Sequence, residues 1–356
     1  MRRALALAER AMFTTTPNPR VGCVIVQDGR IIGEGFTQPA GQDHAEVQAM
    51  KDARTRGESV RGATAYVTLE PCSHYGRTPP CAKGLIDAGV KRVIAAMEDP
   101  NPLVAGRGLS LLRDAGIEVR CGLLEHEARE MNIGFVARMT RGTPWVRMKV
   151  AASLDGKTAL HNGVSQWLTG PAARADGHAW RARACAILTG IGTVREDDPS
   201  LTVREVETTR QPLRIVVDSR LEISPTAKVL ANGNALVICA NGDHERASRL
   251  RDLGVEVLDL PNTTGKVDLS ALLRTLGERQ LNELHVEAGY KLNGSLLRER
   301  CVDELLTYLA PCIVGDAQGM FHLPALTSLD DRLALSFTDV RMIESDLRVM
   351  ARVKRD

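Results

Sequence analysis

Four residues in the first quarter of the chain have types and spacing suited to metal-assisted chemistry. They are His44 and Glu46 in the run Asp43-His44-Ala45-Glu46, Cys72 directly after Pro71, and Cys81. One imidazole and two thiolates offer three ligands suited to Zn²⁺ and leave the fourth tetrahedral position to water. Two thiolates balance the charge of the metal, and water at such a site loses a proton near neutral pH. Glu46 follows His44 by two residues at the start of a predicted helix. One carboxylate there suffices to take a proton from water and return it to a leaving nitrogen.

Each part has a plainer reading. Asp43 followed by Glu46 imitates a capping box, and Cys72 and Cys81 could be small buried hydrophobes. Together, His-x-Glu at a helix start, Pro-Cys after an apolar strand, and a further Cys before the next helix favour metal. This is the pattern of zinc deaminases, in which the Glu is not a ligand. The spacing departs from that pattern: eight residues, Ser73 to Pro80, separate the cysteines where two are usual. A longer loop closes at little extra entropic cost, and it must form an added wall.

The elements needed to hold these residues are legible as alternating strand and helix. Leu5, Ala8 and Met12 fall at helical spacing. Val21–Val26 and Arg30–Phe36 read as strands joined by the turn Asp28-Gly29. A helix is predicted over 45–55, a strand over 63–69, then helix and strand pairs at 82–88 with 92–96 and 108–114 with 118–121, and a helix over 125–138. Gly142-Thr143-Pro144 punctuates the chain, which sets the expected boundary between residues 1–143 and 144–356. The second part restarts with a strand at 146–151, and further strands are expected at 186–188, 214–217, 236–239, 255–258, 284–286 and 305–309. Both parts are α/β.

Composition narrows the partners. A net charge of +2 and 3% aromatic residues disfavour a nucleic-acid surface. No apolar run reaches the ~18 residues of a membrane span. The eight cysteines are too dispersed for a disulfide scaffold, so a reducing cytoplasm is expected. A small-molecule substrate fits these numbers, and a homo-oligomer is left open.

The overlong loop, Pro71-Cys72-Ser73-His74-Tyr75-Gly76-Arg77-Thr78-Pro79-Pro80-Cys81, resembles the bifunctional riboflavin-biosynthesis deaminase/reductase family. So do Thr16–Gly22, Gly41–Val47, the segment Asp99–Gly108 (DPNPLVAGRG), Lys149–Lys157 (KVAASLDGK) and Thr189–Arg204. The resemblance implies a cytidine-deaminase-like three-layer domain followed by a dihydrofolate-reductase-like domain. It implies zinc on His44, Cys72 and Cys81, with Glu46 as proton shuttle, and substrate contacts from Asn18, His74 and Arg77. The implied reactions are deamination of 2,5-diamino-6-ribosylamino-4(3H)-pyrimidinone 5′-phosphate and NADPH-dependent reduction of its ribosyl group to ribityl.

For the second part the residues alone say little. Gly190-Ile191-Gly192 is followed by Arg195 where a dinucleotide fingerprint needs its third glycine. Val286-Glu287-Ala288-Gly289 reads as a strand end leading through Asn293-Gly294-Ser295 into a helix, whose N–H groups could receive a phosphate. The resemblance implies an NADPH site lined by Ala151, Trp167, Thr193, Asp197, Ser219 and the turn Gly289, Tyr290, Lys291, Leu292, Asn293, Gly294 and Ser295. It implies that Lys149, Ser165, Arg181, Leu201, Arg204 and Glu287 face the ribosyl phosphate, the two arginines as forks for phosphate. Gly289-Tyr290-Lys291 departs from the family's usual Gly-Gly-Pro-Thr-like version, and family members usually carry more residues ahead of the first helix.

Overall fold

The computed structural model describes residues 1–73, 80–102, 104–240 and 243–354. The chain divides into two units, Met1–Gly142 and Thr143–Asp356.

In the first unit, α1 (Arg2–Glu9) buries Ala4, Leu5, Leu7 and Ala8 on one face. β1 (Gly22–Gln27) and β2 (Arg30–Phe36) pair antiparallel around Asp28 and Gly29. Both turn residues have positive φ (49° and 74°), as a two-residue hairpin requires. Then come α2 (Ala45–Thr55), β3 (Thr64–Val67), α3 (Cys81–Asp87), β4 (Arg92–Ala95), α4 (Arg107–Asp114) and β5 (Glu118–Cys121). The sheet order is β2-β1-β3-β4-β5, parallel across β3, β4 and β5. The helix expected over 125–138 is instead two, α5 (Glu125–Met131) and α6 (Ile133–Arg141). The break falls at buried Asn132, whose amide accepts from Arg20 N (2.8 Å) and donates to Arg20 O (2.9 Å). A tertiary bond outweighs helix propensity there.

Glycines set how closely α2 lies on the sheet. A Cβ on Gly33 would sit 2.3 Å from Ala49 O, and one on Gly35 would sit 2.4 Å from Ala45 O. Only glycine permits this approach, and it fixes the helix start that carries His44 and Glu46.

The second unit holds β6 (Trp145–Ser153), β7 (Lys157–Ala159), α7 (Pro171–Arg183), β8 (Ala186–Gly190), α8 (Ile191–Asp197), β9 (Leu213–Val217), β10 (Ala235–Cys239), α9 (His244–Asp252), β11 (Glu256–Asp259) and α10 (Leu269–Glu278). It continues with β12 (Glu283–Val286), α11 (Tyr290–Arg298), β13 (Glu304–Ala310), β14 (Gln318–Gly319), β15 (Leu335–Ile343) and β16 (Asp346–Val353). The main sheet runs β11-β10-β9-β8-β12-β6-β13-β16-β15, parallel up to β13 and antiparallel beyond. Sequence reading did not anticipate the β15/β16 hairpin. A register shift between Phe337 and Asp339 interrupts the alternation of β15, and most of the strand is exposed.

Alternation along the central strands separates two faces. Val146, Met148, Leu284 and Val286 enter an apolar core. Arg147, Lys149, Glu283 and His285 take the opposite face, toward α7. There Arg147, 3% exposed, pairs with Glu283 (3.0 Å) and Glu304 (2.7 Å), and its guanidinium lies 4.3 Å from the Trp180 ring. Among the described residues, no helix is long and apolar enough to cross a membrane.

Candidate functional site

The start of α2 carries no capping box. His44 occupies the cap position with no side-chain cap bond. Asp43 accepts instead from Gln48 (2.8 Å) and Lys51. The His44 ring is thereby free to face the cysteines: Nδ1 lies 3.3 Å from Cys81 Sγ and 3.7 Å from Cys72 Sγ. Cys72 follows β3 after a short turn, Cys81 is the first residue of α3, and the Cys81 N–H donates to Cys72 Sγ (3.3 Å). All three ligand atoms lie within 4.8 Å of one another. Tetrahedral zinc with ordinary Zn–S and Zn–N bonds separates an S and an N ligand by about 3.5 Å. The two N–S separations here bracket that value.

Without a metal these groups share protons. A hydrogen bond from Cys81 lowers the Cys72 thiol to about 4, while the same bond and burial raise Cys81. The bond to Cys72 raises His44. A divalent cation displaces such protons, which is the chemistry expected of a metal-ligand set. Glu46, 4% exposed, faces the same groups; burial, then the charge of Cys72, pushes its carboxyl up to about 7. Asn18 sits in the turn after Thr15, its N–H donating to Thr15 O (2.9 Å). That turn is anchored by Arg20, held by Asn132 and by the carbonyls of Met12 and Met131. His74 and Arg77 lie outside the described residues.

In the second unit the residues singled out from sequence fall into three groups. Lys149, Arg181 and Glu287 interact on the polar face of the sheet. Arg181 grips Glu287 through both carboxylate oxygens (2.5 and 2.8 Å) and donates its remaining arm to Thr202 O (3.1 Å). The Nε–Nη2 edge of its fork is thus taken by Glu287, and one further N–H is left on each of Nη1 and Nη2. Arg204 is exposed, bonded to Thr202 Oγ1 (3.0 Å), and its N–H reaches His178 Nδ1 (3.2 Å). The side chain of Leu201 packs in the core, so only its backbone could meet a ligand.

A second group brings the β8–α8 turn against the start of α11. A Cβ on Gly289 would lie 3.5 Å from Thr193 Oγ1, and one on Gly190 3.1 Å from Leu292. Here α11 begins at Tyr290, earlier than the sequence reading placed it. Asn293 and Gly294 are consequently inside the helix and pack on the segment 320–322: Asn293 donates to Met320 O (3.5 Å), and a Gly294 Cβ would meet His322 O at 2.1 Å. Ser295 donates to Lys291 O (3.2 Å), and Tyr290 stacks edge-on against His322. Ala151 is opposite Tyr308 in the β6/β13 ladder, and Ser219 follows β9, its carbonyl accepting from Ala240. In the third group Asp197 accepts from Ser165 (3.3 Å) and Gln166 (3.4 Å), next to exposed Trp167.

Sequence reasoning missed Thr202, His178 and the chain Tyr308–Asp176–Arg348 (2.5 and 2.8 Å). Nothing in their spacing marks them; the sheet and α7 bring them together.

A metal-dependent deaminase unit followed by a separate α/β unit with a polar cluster on its sheet is the class these sites define. Residues 1–97 match the cytidine and deoxycytidylate deaminase zinc-binding region, and residues 144–349 match the RibD C-terminal domain. The riboflavin biosynthesis protein RibD of Escherichia coli is 48% identical, covering 98% of this chain and 96% of that one. A solved structure of Acinetobacter baumannii RibD superposes with a TM-score of 0.91 at 43% identity, covering 99% and 98% of the two chains. A diaminohydroxyphosphoribosylaminopyrimidine deaminase/5-amino-6-(5-phosphoribosylamino)uracil reductase from Thermotoga maritima does so with a TM-score of 0.89 at 35% identity, covering 99% and 97%. The chain belongs to the RibD family of bifunctional deaminase/reductases of riboflavin biosynthesis. The fold expected from the motifs, a deaminase-like domain followed by a reductase domain, is the one observed.

Proposed function

We propose that the first unit hydrolyses the 2-amino group of 2,5-diamino-6-ribosylamino-4(3H)-pyrimidinone 5′-phosphate and that the second reduces the ribosyl group of the product. The observation that carries the reading is the tripod of His44, Cys72 and Cys81 with buried Glu46 beside it. When bound, zinc supplies a Lewis acid that lets the attacking water ionise near neutral pH. Glu46 takes the proton of that water and passes it to the ring nitrogen, then assists departure of ammonia as C2–N breaks and C2–O remains. Asn18 orients the base or ribose, and His74 and Arg77 add contacts from the long loop.

In the second unit, bound NADPH supplies the hydride. Thr193 and the backbone of Gly289 to Leu292, with Ala151, Ser219 and the Asp197–Trp167 group, hold the cofactor. Arg204 meets the phosphate, and Ser165 and the Leu201 backbone flank the sugar. Lys149 is half-buried, and desolvation lowers its pKa while Glu287 opposes that shift. In this reading it gives a proton to the ring oxygen as C1′–O4′ opens and C1′ accepts hydride.

All eight cysteines are free, which supports a cytoplasmic setting. Exposed Phe337 (72%), Val340 (54%) and Met342 (60%) on edge strand β15 support self-association there. Supplying the diaminopyrimidinone phosphate with and without NADPH tests the whole reading. Ammonia must appear without the cofactor, and cofactor oxidation must follow deamination. Glu46→Gln must keep zinc and lose ammonia release; turnover of cytidine in place of the phosphate would refute the substrate.

A further inference from the structure

The segment Asp99–Gly108 has no part in the chemistry described so far. Backbone N–H groups near both of its ends point at one carboxylate. Glu70, 3% exposed, accepts at Oε2 from Asp99 N (3.0 Å) and Gly106 N (2.9 Å), and at Oε1 from Gly108 N (2.7 Å) and Leu109 N (3.3 Å). Its own N–H is held by Met97 O (2.9 Å). Four N–H groups at the start of α4 and in the preceding loop thus converge on a buried anion, where charge-assisted bonds are strong. The next two residues are Pro71 and the ligand Cys72. Contact with α4 continues there, because a Cβ on Gly108 would fall 2.0 Å from Pro71 O.

We propose that Glu70 is a positioning residue of the metal centre: gripped by the amides of Asp99, Gly106, Gly108 and Leu109, it fixes the Pro71–Cys72 turn and hence the direction of the Cys72 thiolate. The inference rests on the zinc reading above. A glutamine at 70 keeps the shape but offers one accepting oxygen and an NH₂ group that faces N–H donors. Two of the four amides lose their partner, and the turn before Cys72 loosens.

The full-length chain, stripped of metal, is titrated with Co²⁺ and read by its thiolate-to-cobalt and d–d absorption; zinc retention is read by competition with a chelator. Glu70→Gln should hold zinc about 10–100-fold more weakly, the range typical of lost outer-shell support, with an altered cobalt spectrum. Gly108→Ala, which pushes on Pro71 from the other side, should alter the same two readouts and decides the matter should Glu70→Gln not accumulate. Gly116→Ala is the control: it strains the other end of α4 (φ +81°) in open space and should leave both unchanged. Wild-type affinity and spectrum in Glu70→Gln would overturn the proposal, as would equal changes in Gly116→Ala. A wild-type chain that binds neither metal would instead bring down the zinc reading itself.

Discussion

Arg181→Met offers a quantitative test of how the reductase unit is held. In the native protein Arg181 and Glu287 are 15% and 14% exposed and share a bidentate pair. Burial opposes the Glu287 charge, yet Arg181, His285 and Lys149 hold its carboxyl well below the usual range. Removing the guanidinium strands a buried carboxylate, which costs about 3–5 kcal/mol. For a unit of this size that lowers the thermal midpoint by roughly 6–20 °C. The sign with pH follows from linkage. The native contribution of Glu287 is complete above the unfolded carboxylate pKa and is lost only as pH falls through its depressed folded value. In the variant burial prevails and raises the folded value, so the deficit grows as pH rises from about 4.3 toward neutrality. The three tryptophans, Trp145, Trp167 and Trp180, all lie in the second unit, so fluorescence melts of the full chain report that unit alone. Arg181→Met/Glu287→Leu should recover much of the loss, because the stranded charge is gone. A loss below about 1 kcal/mol, or a double variant no better than the single, would refute the reasoning. An effect confined to the KM of the ribosyl phosphate would instead mark Arg181 as a phosphate ligand.

Other outcomes follow from the same geometry. Chelation of zinc should abolish ammonia release while reduction of the already deaminated substrate continues, measured as cofactor oxidation. Asn132→Ala should cost the first unit about 1–3 kcal/mol through the loss of both Asn132 bonds to the Arg20 backbone, and should raise the KM of deamination more than it lowers kcat, since the Asn18 turn loses part of its anchor. Gly35→Ala should lose bound zinc, read by metal analysis, because its Cβ would strike Ala45 O; Gly29→Ala, at positive φ in open space, should cost only about 1 kcal/mol and keep zinc. Burial lowers His178 to about 4. A neutral imidazole is then favoured by folding, so second-unit stability should rise with pH between about 4 and 6.5; His178→Asn should flatten that slope in pH-dependent fluorescence melts.

Ligand chemistry was readable in the linear chain because His44, Glu46, Cys72 and Cys81 sit at places that local signals mark: the start of α2, the turn that follows β3, the start of α3. Alternation and turn residues likewise mark nearly every strand of both sheets. Tertiary structure decided what those signals leave open. It turned a plausible capping pair into a ring aimed at two sulfurs, since Asp43 finds better partners in Gln48 and Lys51. It closed the fork of Arg181 on a carboxylate more than one hundred residues away, and it broke an amphipathic helix at Asn132 to hold Arg20. The division has a physical cause. Propensity, capping and periodicity act between residues a few positions apart, whereas the pairing of buried charges and the satisfaction of buried amides depend on which distant segments desolvate together. Metal ligands could be named from the sequence, but the groups that hold them still could not.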